Sequence, residues 1–166
     1  MVTSIFQKVL LSGAGTLAGL FALSFVHPFG DARQAGARPQ QILAGASAPE
    51  TIRELIQHKC GNCHSESVEW PVYARVAPIS WLLEHDVTEA REHMNLSRWD
   101  AYGDERRVDL LTKLGAEVRN GQMPPRRYTL LHPDAKLTQA EQDAIYAWTR
   151  TERKRMKLTA STRARF

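Results

Sequence analysis

The chain reads as an all-α protein on three observations. Apolar residues recur at three- and four-residue spacing behind recognisable helix starts in several stretches, and no stretch alternates apolar and polar residues as a strand would. The third is an uncharged apolar run, Val9 to Val26, eighteen residues long and close to the N-terminus. At 166 residues there is room for one domain of ordinary size plus an appendage. The composition, 43% hydrophobic and 24% charged, is ordinary globular composition and gives no sign of a repeat protein or of long disorder.

As a helix the run Val9 to Val26 would extend about 27 Å at 1.5 Å per residue, close to the ~30 Å of a bilayer core. Lys8 precedes it and Pro28 with a polar stretch follows. Gly13, Gly15, Gly19, Ser12, Thr16 and Ser24 dilute it, so a cleaved signal with Ala22-Leu23-Ser24 as the small-x-small site competes. The length of the run favours an uncleaved anchor over 1–29, with the remainder outside the cytoplasm. Residues 30–48, rich in Gly, Ala, Gln and Pro, read as a linker.

The folded domain is expected over 49–150. Ser47-Ala48-Pro49-Glu50 resembles a capping box, and Ile52, Leu55, Ile56 and Cys60 follow at helical spacing. Glu69 to Ser80, with two prolines and two aromatics, is expected to wrap irregularly. A helix starts near Ser80 and reaches Met94. Ser97 or Asp104 caps the next, whose stripe is Val108, Leu111, Leu114 and Val118, and Asn120-Gly121 is its stop. The last begins with the capping box Thr138-Gln139-Ala140-Glu141 and buries Ala144, Ile145 and Trp148. Residues 151–166 form a basic tail: 150–166 carries +6, whereas 50–149 has 12 basic against 16 acidic residues, a balance of −4. A solvated helix end and a surface for anionic headgroups or an acidic partner are both open readings of that tail.

Both cysteines lie in Cys60-Gly61-Asn62-Cys63-His64, the CxxCH pattern of c-type haem attachment. Each thiol adds across one haem vinyl group, and the adjacent imidazole is carried beneath the iron as proximal ligand. A thioredoxin-like pair would be expected near a βαβ pattern, and a structural zinc site needs two further ligands, for which no second cysteine pair exists. For the second iron ligand Met123 leads, since it stands between the helix stop at Gly121 and the stiff Pro124-Pro125. His85 and His93 offer a bis-His alternative. His58, His27, His132 and Met94 rank lower.

With these residues assembled, the chain from about Ile52 to Trp148 resembles the haem-binding domain family of small exported single-haem proteins. The resemblance rests on Cys60-Gly61-Asn62-Cys63-His64-Ser65, Trp70-Pro71-x-Tyr73, Ala77-Pro78-x-Ser80-Trp81 and His85-Asp86-Val87. It continues through Asn95-x-Ser97-x-Trp99, Gly121-x-Met123-Pro124 and Tyr128-x-x-Leu131-His132-Pro133-x-Ala135-x-Leu137. It implies a cytochrome c-like domain of about four to five helices around one haem c, thioethers at Cys60 and Cys63, proximal His64, distal Met123 and an N-terminal transmembrane helix. Gln122 departs from an expected acidic residue, and Ala90 from an expected glycine.

The expected function is single-electron transfer by a cytochrome tethered to the inner membrane with its haem in the periplasm. A sensor with a displaceable distal ligand is the alternative. No catalytic residue is expected: no second haem motif or acid/base pair accompanies the iron ligands. Partners are expected to be redox proteins and the membrane, not nucleic acid.

Overall fold

The computed structural model describes residues 2–30, 32 and 41–163, with side chains from Ile5 onward. Every regular element among them is helical. The α-helices are α1 (Val2–Leu23), α2 (Glu50–His64), α3 (Ile79–His93), α4 (Asp104–Arg119), α5 (Arg126–Leu131) and α6 (Gln139–Arg163). Three 3₁₀ turns, Val72–Arg75, Leu96–Ala101 and Pro133–Ala135, lie between them. The chain divides into two compact units, 1–35 with 69–89, and 36–68 with 90–166.

In the first unit α1 is apolar and its described side chains are almost all exposed. The stretch Ile5–Leu23, 19 residues at mean hydropathy 1.4, is long and apolar enough to cross a membrane or to serve as a signal sequence. The residues after it are tied by hydrogen bonds: the Ala77 amide donates to Ser24 Oγ at 3.0 Å, and the Trp81 indole donates to the Val26 carbonyl at 2.7 Å. His27 Nδ1 lies 2.8 Å from Oε1 of the fully buried Glu84. The irregular wrap expected over 69–80 is found over 69–78, broken by the 3₁₀ turn Val72–Arg75, and Ile79 and Ser80 already belong to α3.

The second unit is built around α4 and α6. Leu110, Leu111, Leu114 and Val118 of α4 meet Ile145, Trp148 and Met156 of α6, with Ile52 and Ile56 of α2 and Leu96 and Trp99 completing the core. Burying large apolar side chains of this kind contributes ~1.5–3 kcal/mol each. Gly115 permits the close approach of α4 to α6, since a Cβ there would sit 2.6 Å from Thr149 Oγ1 and 3.3 Å from the Tyr146 ring. The Thr138 capping box forms as expected: the Thr138 amide donates to Glu141 Oε2 at 2.7 Å, and the Glu141 amide to Thr138 Oγ1 at 3.3 Å.

Several local expectations are corrected. Ser47 does not cap α2, whose N-cap is Pro49 with no side-chain bond. Its backbone instead joins α6: the amide donates to Glu152 Oε1 at 3.0 Å, and the carbonyl accepts from Trp148 Nε1 at 3.1 Å. The C-terminal part of the expected linker 30–48 is packed, because Ile42 and Leu43 belong to the core and Arg53 donates to both their carbonyls. Neither Ser97 nor Asp104 is a cap. Ser97 lies in a 3₁₀ turn capped by Asn95, and Asp104 is the first residue of α4. Ala144 is exposed. The basic segment continues α6 to Arg163, as one of its two open readings had it, but with Glu152 and Met156 buried rather than solvated.

Candidate functional site

The last two turns of α2 carry Cys60, Cys63 and His64. A spacing of three places the two thiols on one face of the helix, one above the other. Neither is in a disulfide, both are half-buried, and Cys60 packs against the core. Burial, with the charge of Cys63 beside it, pushes the Cys60 thiol up to about 12, Lys59 only partly opposing.

His64 Nδ1 lies 2.9 Å from the Met94 carbonyl oxygen. A carbonyl can only accept, so Nδ1 carries the proton and Nε2 is the nitrogen left to coordinate. Burial holds the imidazole below the usual histidine range, against the Met94 and Ala90 carbonyls, which favour its protonated form. The ring is therefore neutral at neutral pH, the form that ligates metal.

The chain leaving His64 is stapled in place. Arg91 Nε donates to the Ser65 carbonyl at 2.9 Å, and the Glu66 amide donates to Ser97 Oγ at 3.0 Å. The buried Glu66 carboxylate accepts from Asn95 Nδ2 at 3.2 Å and Arg98 Nε at 2.5 Å.

Met123 follows the end of α4. Gly121 has φ +66°, its amide donates to the Val118 carbonyl at 3.1 Å, and the Gln122 amide donates to the Glu117 carbonyl at 2.9 Å. This is a Schellman stop, and a left-handed residue is what closes it. The Met123 amide also points at the Glu117 carbonyl, at 3.3 Å, so the backbone is held while the side chain remains 37% exposed. Beyond Pro124-Pro125 the chain returns to the motif helix: Asn62 Nδ2 donates to the OH of Tyr128 in α5 at 3.3 Å, and Lys59 Nζ donates to the Asp134 carbonyl in the 3₁₀ turn Pro133–Ala135 at 2.6 Å. Helix α5 and the contacts of Tyr128 and Lys59 had no periodic signal in the sequence.

The remaining candidates differ in their surroundings, and His93 and Met94 are close to His64. His58 is largely exposed near Asp134, His93 is exposed, and His85 sits with Asp86 and Glu89 in the first unit. Met94 is buried in the core of the second unit. Two thiols on one helical face, an imidazole whose Nδ1 is tied to a backbone carbonyl and a thioether on a rigid turn are donors suited to haem iron and its covalent tether.

The model of the haem-binding domain family matches residues 18–151. This chain belongs to the haem-binding domain family. The haem-binding domain is also 30% identical over 103 residues to the cytochrome c peroxidase Ccp of Escherichia coli strain K12. That alignment covers 60% of this chain and 22% of the peroxidase, so the domain spans well under a third of its relative. No solved structure matches it.

Proposed function

We propose that the domain carries one haem c, joined through thioethers to Cys60 and Cys63, ligated by His64 and Met123, and used to pass single electrons at the periplasmic face of the inner membrane. The hydrogen bond from His64 Nδ1 to the Met94 carbonyl carries the reading, because it leaves Nε2 as the donor beside two thiols of matching spacing. Bound haem supplies a one-electron iron couple, which a methionine ligand shifts toward higher potential. The chain's part is to hold the imidazole in one tautomer, present the thioether from a rigid backbone and bring Tyr128 and the turn Pro133–Ala135 against the motif helix. Tethering is supported by α1 and by Ser24, Val26 and His27, whose bonds to Ala77, Trp81 and Glu84 make the end of the apolar segment part of a packed unit.

The named relative favours a second reading, in which the iron serves peroxide reduction. One optical experiment separates the uses. The oxidised protein is expected to show a near-infrared thioether-to-iron band that Met123→Ala abolishes. Absence of the band, with carbon monoxide binding readily to the reduced wild type, would sink the electron-transfer reading and promote a sensor. Rapid peroxide-dependent oxidation of a reduced c-type cytochrome would promote the peroxidase.

A further inference from the structure

The Met94 carbonyl and the Asn95 amide are the two ends of one planar peptide group. Its oxygen accepts from His64 Nδ1 at 2.9 Å, and its N–H donates to the phenol oxygen of Tyr102, also at 2.9 Å. We propose that Tyr102 is a positioning residue for the proximal imidazole, acting through the 94–95 peptide to set the orientation and donor strength of His64. This rests on the reading of His64 as an iron ligand.

The relay has a physical direction. Donation by the Asn95 amide polarises the peptide and makes the Met94 oxygen a better acceptor. A stronger bond from Nδ1 leaves more electron density on the imidazole and at Nε2, and second-shell partners of a ligating histidine act in this way. A more basic ligand favours the oxidised iron, so loss of the Tyr102 acceptor raises the reduction potential.

Both flanks of the relay are held. The Tyr102 ring packs edge-on against the buried Trp99 at 6.2 Å, and its own amide donates to the Trp99 carbonyl at 3.3 Å. On the other flank the Met94 amide donates to Ala90 at 2.9 Å, and the Asn95 side chain bridges the Ser97 amide and Glu66. The hydroxyl therefore approaches the peptide from a fixed ring rather than from a mobile side chain.

The test uses the full-length, haem-loaded protein. Tyr102→Phe keeps the ring and removes the acceptor. It is expected to retain haem that resists acidic organic extraction, to raise the ratio of reduced to oxidised haem about threefold at a fixed ambient potential, a modest step for a group one shell beyond the ligand's own partner, and to move the His64 Nδ1 proton resonance toward weaker bonding. Thr112→Ala, which removes the exposed bond from Arg153 to Thr112 Oγ1 between α4 and α6 and touches none of the groups that hold His64, serves as the control and is expected to leave the ratio unchanged. Equal shifts in the two variants, or none in Tyr102→Phe, would overturn the relay while leaving His/Met ligation standing. A wild-type protein whose iron lacks the histidine would overturn the ligation itself. Should Tyr102→Phe fail to fold, 3-fluorotyrosine at 102, whose phenol stays protonated at neutral pH and is a weaker acceptor of nearly the same shape, takes its place with the same expected direction.

Discussion

His64 leaves α2 into a stretch where Ser65, Glu66, Met94 and Asn95 are all buried, whereas Met123 stands 37% exposed ahead of a helix, α5, that contributes no buried side chain. The first position is held by side chains: Glu66, Arg91, Asn95, Arg98 and Ser97 tie the turns around it. The second is held by backbone, through the Gly121 stop and two prolines. The contrast teaches that a candidate ligand can be placed by a polar network inside a core or by a stiff turn at its edge. In the proposed ligation the histidine is the constrained partner and the methionine the more easily displaced one.

The largest expected effect breaks the constrained side outright. Replacing Cys60 and Cys63 together by alanine should abolish haem that resists acidic organic extraction; covalent haem surviving in that variant would refute the attachment. Next, Gly121→Ala places a Cβ in open space but at φ +66°, so strain alone should cost about 1–2 kcal/mol. Chemical denaturation should report that loss, and the thioether band should weaken while the His64 Nδ1 proton resonance stays put. Equal disturbance of both would erase the distinction between the two sides.

The smallest effect is a pH dependence on the histidine side. Glu152 is buried, which opposes its ionisation, yet bonds from Arg155 and the Ser47 amide outweigh burial and hold its carboxyl below the usual range. A depressed folded value means stability that is complete above the unfolded value of 4.5 and is lost as pH falls through the folded one. Since Ser47 leads into α2, acid should loosen the helix that carries the motif. Glu152→Gln should flatten the acid limb of the stability profile measured by denaturant titration, and an unchanged limb would remove Glu152 from the account.

Much of the fold was legible in residue spacing. The stripe of α4, the stop at Gly121 and the Thr138 capping box are local patterns, and each forms as the sequence implies. Ser47 was misread for the complementary reason: a Ser-x-x-Glu pattern states what a side chain can cap locally. It does not state that Trp148 and Glu152, a hundred residues on, will claim its backbone first. Ile42 and Leu43 carry no period because they enter the core as two adjacent residues, Leu43 at φ 56° with its amide donating to the Leu96 carbonyl.

By itself the sequence determined the all-helical class, the family and the presence of two thiols and an imidazole at a spacing suited to haem. Those follow from short-range periodicity and from covalent chemistry within five residues. Only the tertiary structure decided that His64 Nδ1 bonds the Met94 carbonyl, that Tyr102 grips the far end of that peptide, and that Tyr128 and the turn Pro133–Ala135 meet the motif helix. These depend on groups 30 or more residues from the motif, brought close by burial of a shared core, and hydrogen bonds of that reach leave no trace in local spacing.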